Sequence, residues 1–272
     1  TYSHPHGGGA GALPQCKGRM MDPLFDFTGK VALVTGGSRG LGYQMVKAFA
    51  ERGADVIVAS RKLENCETVA EECRALGRKA LAVSAHVGKW PECDRLIEEA
   101  YAAFGRVDIL VNNAGMSPRM ASHEVPEALF DSVVNLNFKG PFRLASQVGK
   151  RMFDAGGGCI INVTSSGSMM PLPEVVAYGS SKAALNAMSR SLAWEYAPHV
   201  RVNTLSPGDK VLMYETGQFA TLWKRLAERL GLTLASAQTY TKRIYRKLGL
   251  AGHKALVAWL LAPQSLEPVP KR

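Results

Sequence analysis

A doubly wound parallel α/β sheet is predicted by two features of this 272-residue sequence. From Gly29 onward, short apolar runs of strand length alternate with amphipathic stretches of helix length, and such strands pair in parallel through right-handed crossovers. The first apolar run ends in a glycine-rich turn, Thr35-Gly-Gly-Ser-Arg-Gly-Leu-Gly42, that leads into the first helix. Glycines at Gly36, Gly40 and Gly42 let backbone approach a pyrophosphate and let the helix begin close to the strand, its amino end facing the phosphates. Their spacing is GxxxGxG.

Taken in order, residues 1–21 are rich in Gly and Pro without periodicity and read as a disordered leader. His4 and His6 on that leader are not read as a metal pair, and Met20 or Met21 is a natural start. VALVTGG is the first strand, with a helix to Arg52; ADVIVAS the second, with a helix to Gly77; KALAVSAHV the third, with a helix to Phe104. VDILVNNAG is the fourth, with a long helix through Phe142 and Lys150. CIINVTS is the fifth, with a helix from Ala177 to about Tyr196, and VRVNTLSPG is the sixth.

Composition narrows the class. With 46% hydrophobic and 21% charged residues the chain buries one large core, or a large and a small one. No apolar run approaches the roughly 18 residues of a spanning helix, and the first 20 residues lack the apolar centre of a signal peptide. The cytoplasm is therefore expected, with no membrane partner. Cys16, Cys66, Cys73, Cys93 and Cys159 are odd in number and show no metal-ligand spacing, so reduced thiols and no metal site are expected. The net charge of +10 is uneven: residues 1–204 carry 22 basic and 19 acidic side chains, net +3, and residues 205–272 carry 11 and 4, net +7. An acidic partner is expected at the last quarter of the chain.

The chemistry is concentrated between Ser165 and Lys182. Tyr178 and Lys182, four apart on a helix, share a face with the ammonium beside the phenol. A neighbouring positive charge favours the phenolate, which suits a proton donor working near neutral pH. Ser165 ends an apolar strand, so its hydroxyl emerges at a carboxyl edge, where open α/β sheets hold ligands. Tyr43 and Lys47 repeat the spacing, but Lys30 stands where a serine would be, and that pair reads as a helix-surface contact.

TGGSRGLG, NNAG at Asn112–Gly115, Ser165, YGSSK and VNTLSPG, in this order and spacing, resemble the short-chain dehydrogenase/reductase family over about residues 24–208. The resemblance implies a Rossmann sheet in which Ser165 holds the substrate oxygen, Tyr178 exchanges the proton, and Lys182 binds the nicotinamide ribose and lowers the tyrosine pKa. It also implies that Asn137 is the fourth catalytic residue, supporting a relay water, with Asn135 as the competing choice. Gly36, Ser38, Arg39, Gly40, Leu41, Gly42, Ser60, Arg61, Lys62, His86, Val87, Asn113, Ala114, Gly115, Pro207 and Gly208 would line the cofactor beside Tyr178 and Lys182. Where an Asp or Glu would take the ribose 2′-hydroxyl of NAD stands Ser60-Arg61-Lys62, and Arg39 lies in the glycine turn. Two guanidinium groups suit a 2′-phosphate, so NADP is the expected cofactor. His86 departs from the aspartate that many relatives place near the adenine.

From LSPGDKVL onward the sequence instead resembles the LuxR/GerE type of helix-turn-helix domain, over about residues 205–262. Leu222, Leu226, Ala227 and Leu230 give one helix an apolar stripe, Gly231 makes the turn, and Ala237, Ile244 and Leu248 line the next. Ser236, Gln238, Thr239, Lys242, Arg243 and Arg246 would face double-stranded DNA, which residues 222–250 would bind. The expected organisation is a leader at 1–21, an NADP-binding domain at 22–208, a helix-turn-helix domain at 209–264 and a tail at 265–272. About six strands are expected, with the family's last strand missing and the bare edge covered by later helices or by a second copy in a homo-oligomer. The first functional reading is an oxidoreductase interconverting a small secondary alcohol and a ketone, with an appended DNA-binding domain. Its rivals are a transcription regulator that senses NADP(H) or another small molecule, and an inactive chimaera.

Overall fold

The computed structural model describes residues 25–170, 172–207 and 212–214. Seven strands form one sheet: β1 (Val31–Thr35), β2 (Asp55–Ser60), β3 (Ala80–Ser84), β4 (Ile109–Asn112), β5 (Gly158–Val163), β6 (Val200–Ser206) and β7 (Leu212–Tyr214). Their spatial order is β3-β2-β1-β4-β5-β6-β7. The first six are parallel, in the doubly wound order that reverses direction between β1 and β4. The crossovers carry α1 (Gly40–Glu51), α2 (Leu63–Ala75), α3 (Trp90–Phe104), α4 (Glu127–Val134), α5 (Gly140–Asp154) and α6 (Val176–Glu195).

Strand side chains alternate between two helical layers, as the period of two requires. Leu33, Ile57, Leu110 and Ile160 pack on one face with Leu96 of α3, Leu144 of α5 and Leu185 of α6. Ala32, Val34, Val56, Val58 and Val111 pack on the other with Val46 of α1 and Val69 of α2. Complete burial of such a residue contributes roughly 1.5–3 kcal/mol, and both faces of the central strands are used. Because the first six strands are parallel, the loops at their carboxyl ends lie along one edge of the sheet.

At the outer edge a seventh strand is added to the six expected, while the later helices expected against the last strand lie outside the described residues. β7 pairs antiparallel with β6, Thr204 opposite Tyr214 and Ser206 opposite Leu212, so the sheet's hydrogen bonding continues beyond residue 208. An unpaired strand end presents free N–H and C=O groups, and the returning chain satisfies them here. The expected helices at residues 222–250, with all the residues assigned to DNA contact, lie outside the described residues, as do the leader and Gly208.

α4 passes into α5 through a π-helical turn at Asn135–Lys139, a feature common at functional sites. It brings Gly140 against the loop after β3: a Cβ at Gly140 would lie well inside contact distance of the Val87 carbonyl oxygen and 2.8 Å from its carbon. Gly140→Ala tests this approach. Alanine favours the helix by about 1 kcal/mol, but overpacking against rigid backbone costs roughly 1–3 kcal/mol. Chemical denaturation should show a net loss of stability, and an unchanged midpoint would mean that α5 can move away from Val87.

Candidate functional site at the carboxyl edge of the sheet

The glycine turn is clamped to the loop after β4. Thr35 Oγ1 accepts the Asn113 and Ala114 N–H groups at 3.0 and 3.1 Å and donates to the Val111 carbonyl at 3.3 Å. Asn113 Nδ2 donates back to the carbonyls of Thr35 and Gly36 at 3.0 and 3.3 Å. Gly36 and Gly40 have φ of +65° and +56°, the left-handed region that glycine enters without strain. A Cβ at Gly42 would come within 2.6 Å of Asn113 Nδ2, so only glycine lets α1 start this close. Arg39 precedes the first turn of α1 and makes no side-chain cap. The amino end of that helix therefore keeps the unsatisfied N–H groups that bind anions.

Ser38 Oγ donates to Ser60 Oγ at 2.8 Å, joining the glycine turn to the end of β2. Ser60 Oγ also lies 3.0 Å from the buried Cys66 Sγ. Arg39, Arg61, Lys62 and Leu41 are exposed along this rim. Neither arginine has an ion pair among the described residues, whereas Lys62 lies 3.9 Å from Glu64. Val87 is buried under the π-helical turn, and His86 is half-buried beside it.

The second cluster lies across the carboxyl edge from the first. Ser165 is 9% exposed, and its Oγ accepts the Gly167 N–H at 3.1 Å. Gly167 and Gly179 bring this turn against the start of α6: a Cβ at Gly179 would be 2.9 Å from the Gly167 carbonyl oxygen. Tyr178, half-buried, is the neighbouring residue. Pro207 reaches the same turn, its carbonyl accepting the Ser166 N–H at 3.2 Å.

Asn137 is fully buried in the π-helical turn. Its Oδ1 accepts the Met116 N–H at 2.9 Å, while Nδ2 donates to the Met116 carbonyl at 2.9 Å and to Ser181 Oγ at 3.1 Å. Ser181 in turn donates to the Tyr178 carbonyl at 2.7 Å. A Cβ at Gly115 would touch both Asn137 Oδ1, at 3.1 Å, and Lys182 Nζ, at 3.4 Å. Of the two asparagines weighed from the sequence, Asn137 is the one beside Lys182; Asn135 lends its carbonyl to the Gly140 N–H within the helix.

Lys182 is 3% exposed and donates from Nζ to the Val163 carbonyl at 2.7 Å. Burial alone lowers its pKa from the ordinary 10.5 to about 8, because a low-dielectric interior disfavours the ammonium. Tyr43 and Lys47, with the same spacing, are instead tied up by one carboxylate. Tyr43 donates to Glu72 at 2.8 Å and Lys47 lies 3.1 Å from it. The hydrogen bond to Glu72 raises the Tyr43 pKa, the wrong direction for a proton donor at neutral pH.

Three supporting features were not found from the sequence. Asn112, Asn162 and Ser189, all buried, form a polar band from β4 through β5 to α6, linked at 2.8 and 2.9 Å. Polar letters inside apolar strands were its signal. Thr35 and Ser181 fill their roles without a spacing that marks them. A latch joins the loops flanking the second cluster: Met120 N–H donates to the Glu174 carbonyl at 2.8 Å, and Arg119 pairs with the Glu174 carboxylate at 2.9 Å. Glu174 has φ +62°. Among the described residues no cluster of three metal-ligating side chains occurs, no helix is long and apolar enough to cross a membrane, and the four cysteines are free thiols.

Comparison with known proteins assigns the family. Residues 30–214 match the short chain dehydrogenase family. The NAD-dependent glycerol dehydrogenase of Listeria innocua is 36% identical over 200 residues, 73% of this chain and 77% of the relative. A short-chain type dehydrogenase/reductase from Mycobacterium marinum superposes with a TM-score of 0.65 at 36% identity, over 68% of this chain and 76% of that one. A metagenomic short-chain oxidoreductase solved with NADP gives 0.65 at 33% identity, over 67% and 83%.

The charge on Lys182 has a measurable cost. Below pH 8 the ammonium is buried in the folded state and hydrated in the unfolded one, so the penalty is fully present. It lifts as pH rises from about 8 to 10.5. Lys182→Met should therefore unfold with a free energy about 1–3 kcal/mol higher at pH 7, an advantage that shrinks to nothing by pH 10.5. A difference independent of pH would locate the cost elsewhere.

Proposed function

The chain belongs to the short-chain dehydrogenase family, and from that premise we propose that it is an NADP-dependent oxidoreductase interconverting a small secondary alcohol and a ketone. The observation that carries the reading is the convergence of Ser165, Tyr178, Lys182 and Asn137 at the carboxyl edge, on one side of an uncapped helix start. The glycine cradle fits a dinucleotide, since its positive-φ glycines and the uncapped start of α1 offer backbone N–H groups to phosphates. When bound, the nicotinamide supplies or accepts the hydride.

The protein's own groups do the rest. Ser165 has one lone pair engaged by the Gly167 N–H, which leaves its proton to donate to the substrate carbonyl oxygen. Tyr178 transfers its phenolic proton to that oxygen as the alcohol forms, and takes it back in oxidation. Lys182, on the same helix face, would hold the ribose of the nicotinamide half through its ammonium. Asn137 fixes the loop carrying Met116 through two hydrogen bonds at 2.9 Å and steadies α6 through Ser181.

One relative is named for NAD and another was solved with NADP, so the preference rests on this chain's residues. Arg39 and Arg61, exposed beside the Ser38–Ser60 pair with no carboxylate at positions 60–62, support NADP. The regulator reading has no observation of its own among the described residues.

Two measurements test the proposal. Calorimetry should give NADPH tighter than NADH by at least about tenfold, with Arg61→Ala removing most of the difference, as expected for one charge-assisted contact of roughly 1.5–3 kcal/mol. Equal affinities would refute the NADP assignment. Tyr178→Phe should abolish ketone reduction while leaving NADPH affinity within about twofold, because the phenol is the proton donor; Lys182→Ala should damage both. Retained turnover in Tyr178→Phe would mean that another group delivers the proton.

A further inference from the structure

Taking the dinucleotide reading above as the premise, we propose that His86 makes the base end of the cofactor site a hydrogen-bond donor, so that this chain accepts a 6-oxopurine dinucleotide at least as well as the adenine form. The placement follows from sheet order. The glycine turn closes β1, Ser60 and Arg61 close β2, and β3 is the next strand outward. A dinucleotide whose pyrophosphate meets the first and whose ribose meets the second brings its base to the carboxyl end of the third. That end is tied to the ribose side: Ala85 N–H donates to the Ser60 carbonyl at 2.7 Å, and Ser84 Oγ to the Arg61 carbonyl at 3.1 Å. His86 is the next residue.

Its ring has one orientation and one tautomer. The His86 N–H donates to Glu92 Oε2 at 2.7 Å and its carbonyl accepts the Lys89 N–H at 2.8 Å, which fixes the backbone on both sides. Gly88 N–H donates to Nδ1 at 3.2 Å. Nδ1 therefore holds a lone pair, and the proton of the neutral ring is on Nε2. A Cβ at Gly88 would lie 2.9 Å from Cε1, so the glycine is what lets the ring lie across the turn. Among the described residues nothing bonds Nε2, so the polar atom of the side chain left for a ligand is an N–H.

A donor and a carboxylate read a purine in opposite senses. Adenine offers an amino donor at position 6 with acceptors at N1 and N7; hypoxanthine offers a carbonyl acceptor at position 6, a donor at N1 and an acceptor at N7. A carboxylate takes the 6-amino group of adenine, is repelled by the 6-oxo group and meets hypoxanthine only through N1–H. The Nε2–H meets the 6-oxo group directly and meets adenine only through a ring nitrogen. A side chain that must donate thus removes the usual reason to prefer adenine.

Calorimetry compares NADPH with reduced nicotinamide hypoxanthine dinucleotide phosphate, on the full chain and on His86→Asp. The parent should bind the hypoxanthine form as tightly as NADPH or up to about threefold tighter, and His86→Asp should shift the ratio at least about tenfold towards NADPH. A tenfold preference of the parent for NADPH, or an unchanged ratio in His86→Asp, would overturn the assignment while leaving the dinucleotide reading intact. Failure of both nucleotides to bind the parent would remove the two together. Should His86→Asp fail to fold, the parent's ratio alone decides.

Discussion

The hydroxyl of Thr35, with the Asn113 amide returning bonds to the same turn, ties together the two halves of this sheet where ligand would enter. Thr35 Oγ1 has one proton and two lone pairs, and all three are used between β1 and the loop after β4. β1 and β4 are the neighbours at which strand order reverses, so helices leave them on opposite faces and their loops diverge. The backbone pairing of β1 with β4 ends at Val34 and Val111, and beyond it these side-chain bonds are what limit how far the loops part. With them, the glycine turn, the uncapped start of α1 and Gly115 keep fixed positions relative to one another. Everything proposed about phosphate binding on one side and proton transfer on the other depends on that distance being constant.

Polar groups in the interior extend the same principle across the sheet. Asn112, Asn162 and Ser189 carry hydrogen bonds from β4 to α6 through a layer that is otherwise aliphatic. A buried amide left unpaired costs about 1–3 kcal/mol, so any slip of α6 against β5 is penalised. Apolar packing alone tolerates such slips more easily. Tyr178, Ser181 and Lys182 are carried on α6, and their alignment with Ser165 and Asn137 inherits this precision. Lys182 is the expensive member. Its charge is buried with one carbonyl as partner, and the depressed pKa measures what the fold gives up to keep it there.

Much of this was legible in the sequence because it depends on local pattern. Strand length, helix length and the glycines of the first turn each reflect short-range geometry, and all six parallel strands fall where the apolar runs lie. Tyr178 and Lys182 were legible for the same reason, since four residues on a helix make one face. What spacing could not distinguish was the decoy: Tyr43 and Lys47 have the same separation, and only Glu72, from another helix, disarms them. Thr35, Ser181 and the Asn112–Asn162–Ser189 band act through partners tens of residues away, so polar letters inside the apolar runs hinted at the band without naming its partners, and nothing singled out Thr35 or Ser181. β7 escaped notice because a three-residue strand carries too little periodicity to register. The helix-turn-helix pattern concerns residues beyond those described, and the family match ends at residue 214.

The connection between Arg119–Met120 and Glu174 sets how firmly the loops after β4 and before α6 are held together. Its ion pair is well exposed, with side chains 74% and 55% accessible, and such pairs contribute about 0–1 kcal/mol. One backbone hydrogen bond adds roughly 0.5–1.5 kcal/mol net, while holding a glutamate at φ +62° costs about 1–3 kcal/mol. Gains and losses nearly cancel, leaving a balance of the order of thermal energy. The contact between these two loops is therefore weak enough for Brownian motion to break, and their separation needs no global unfolding.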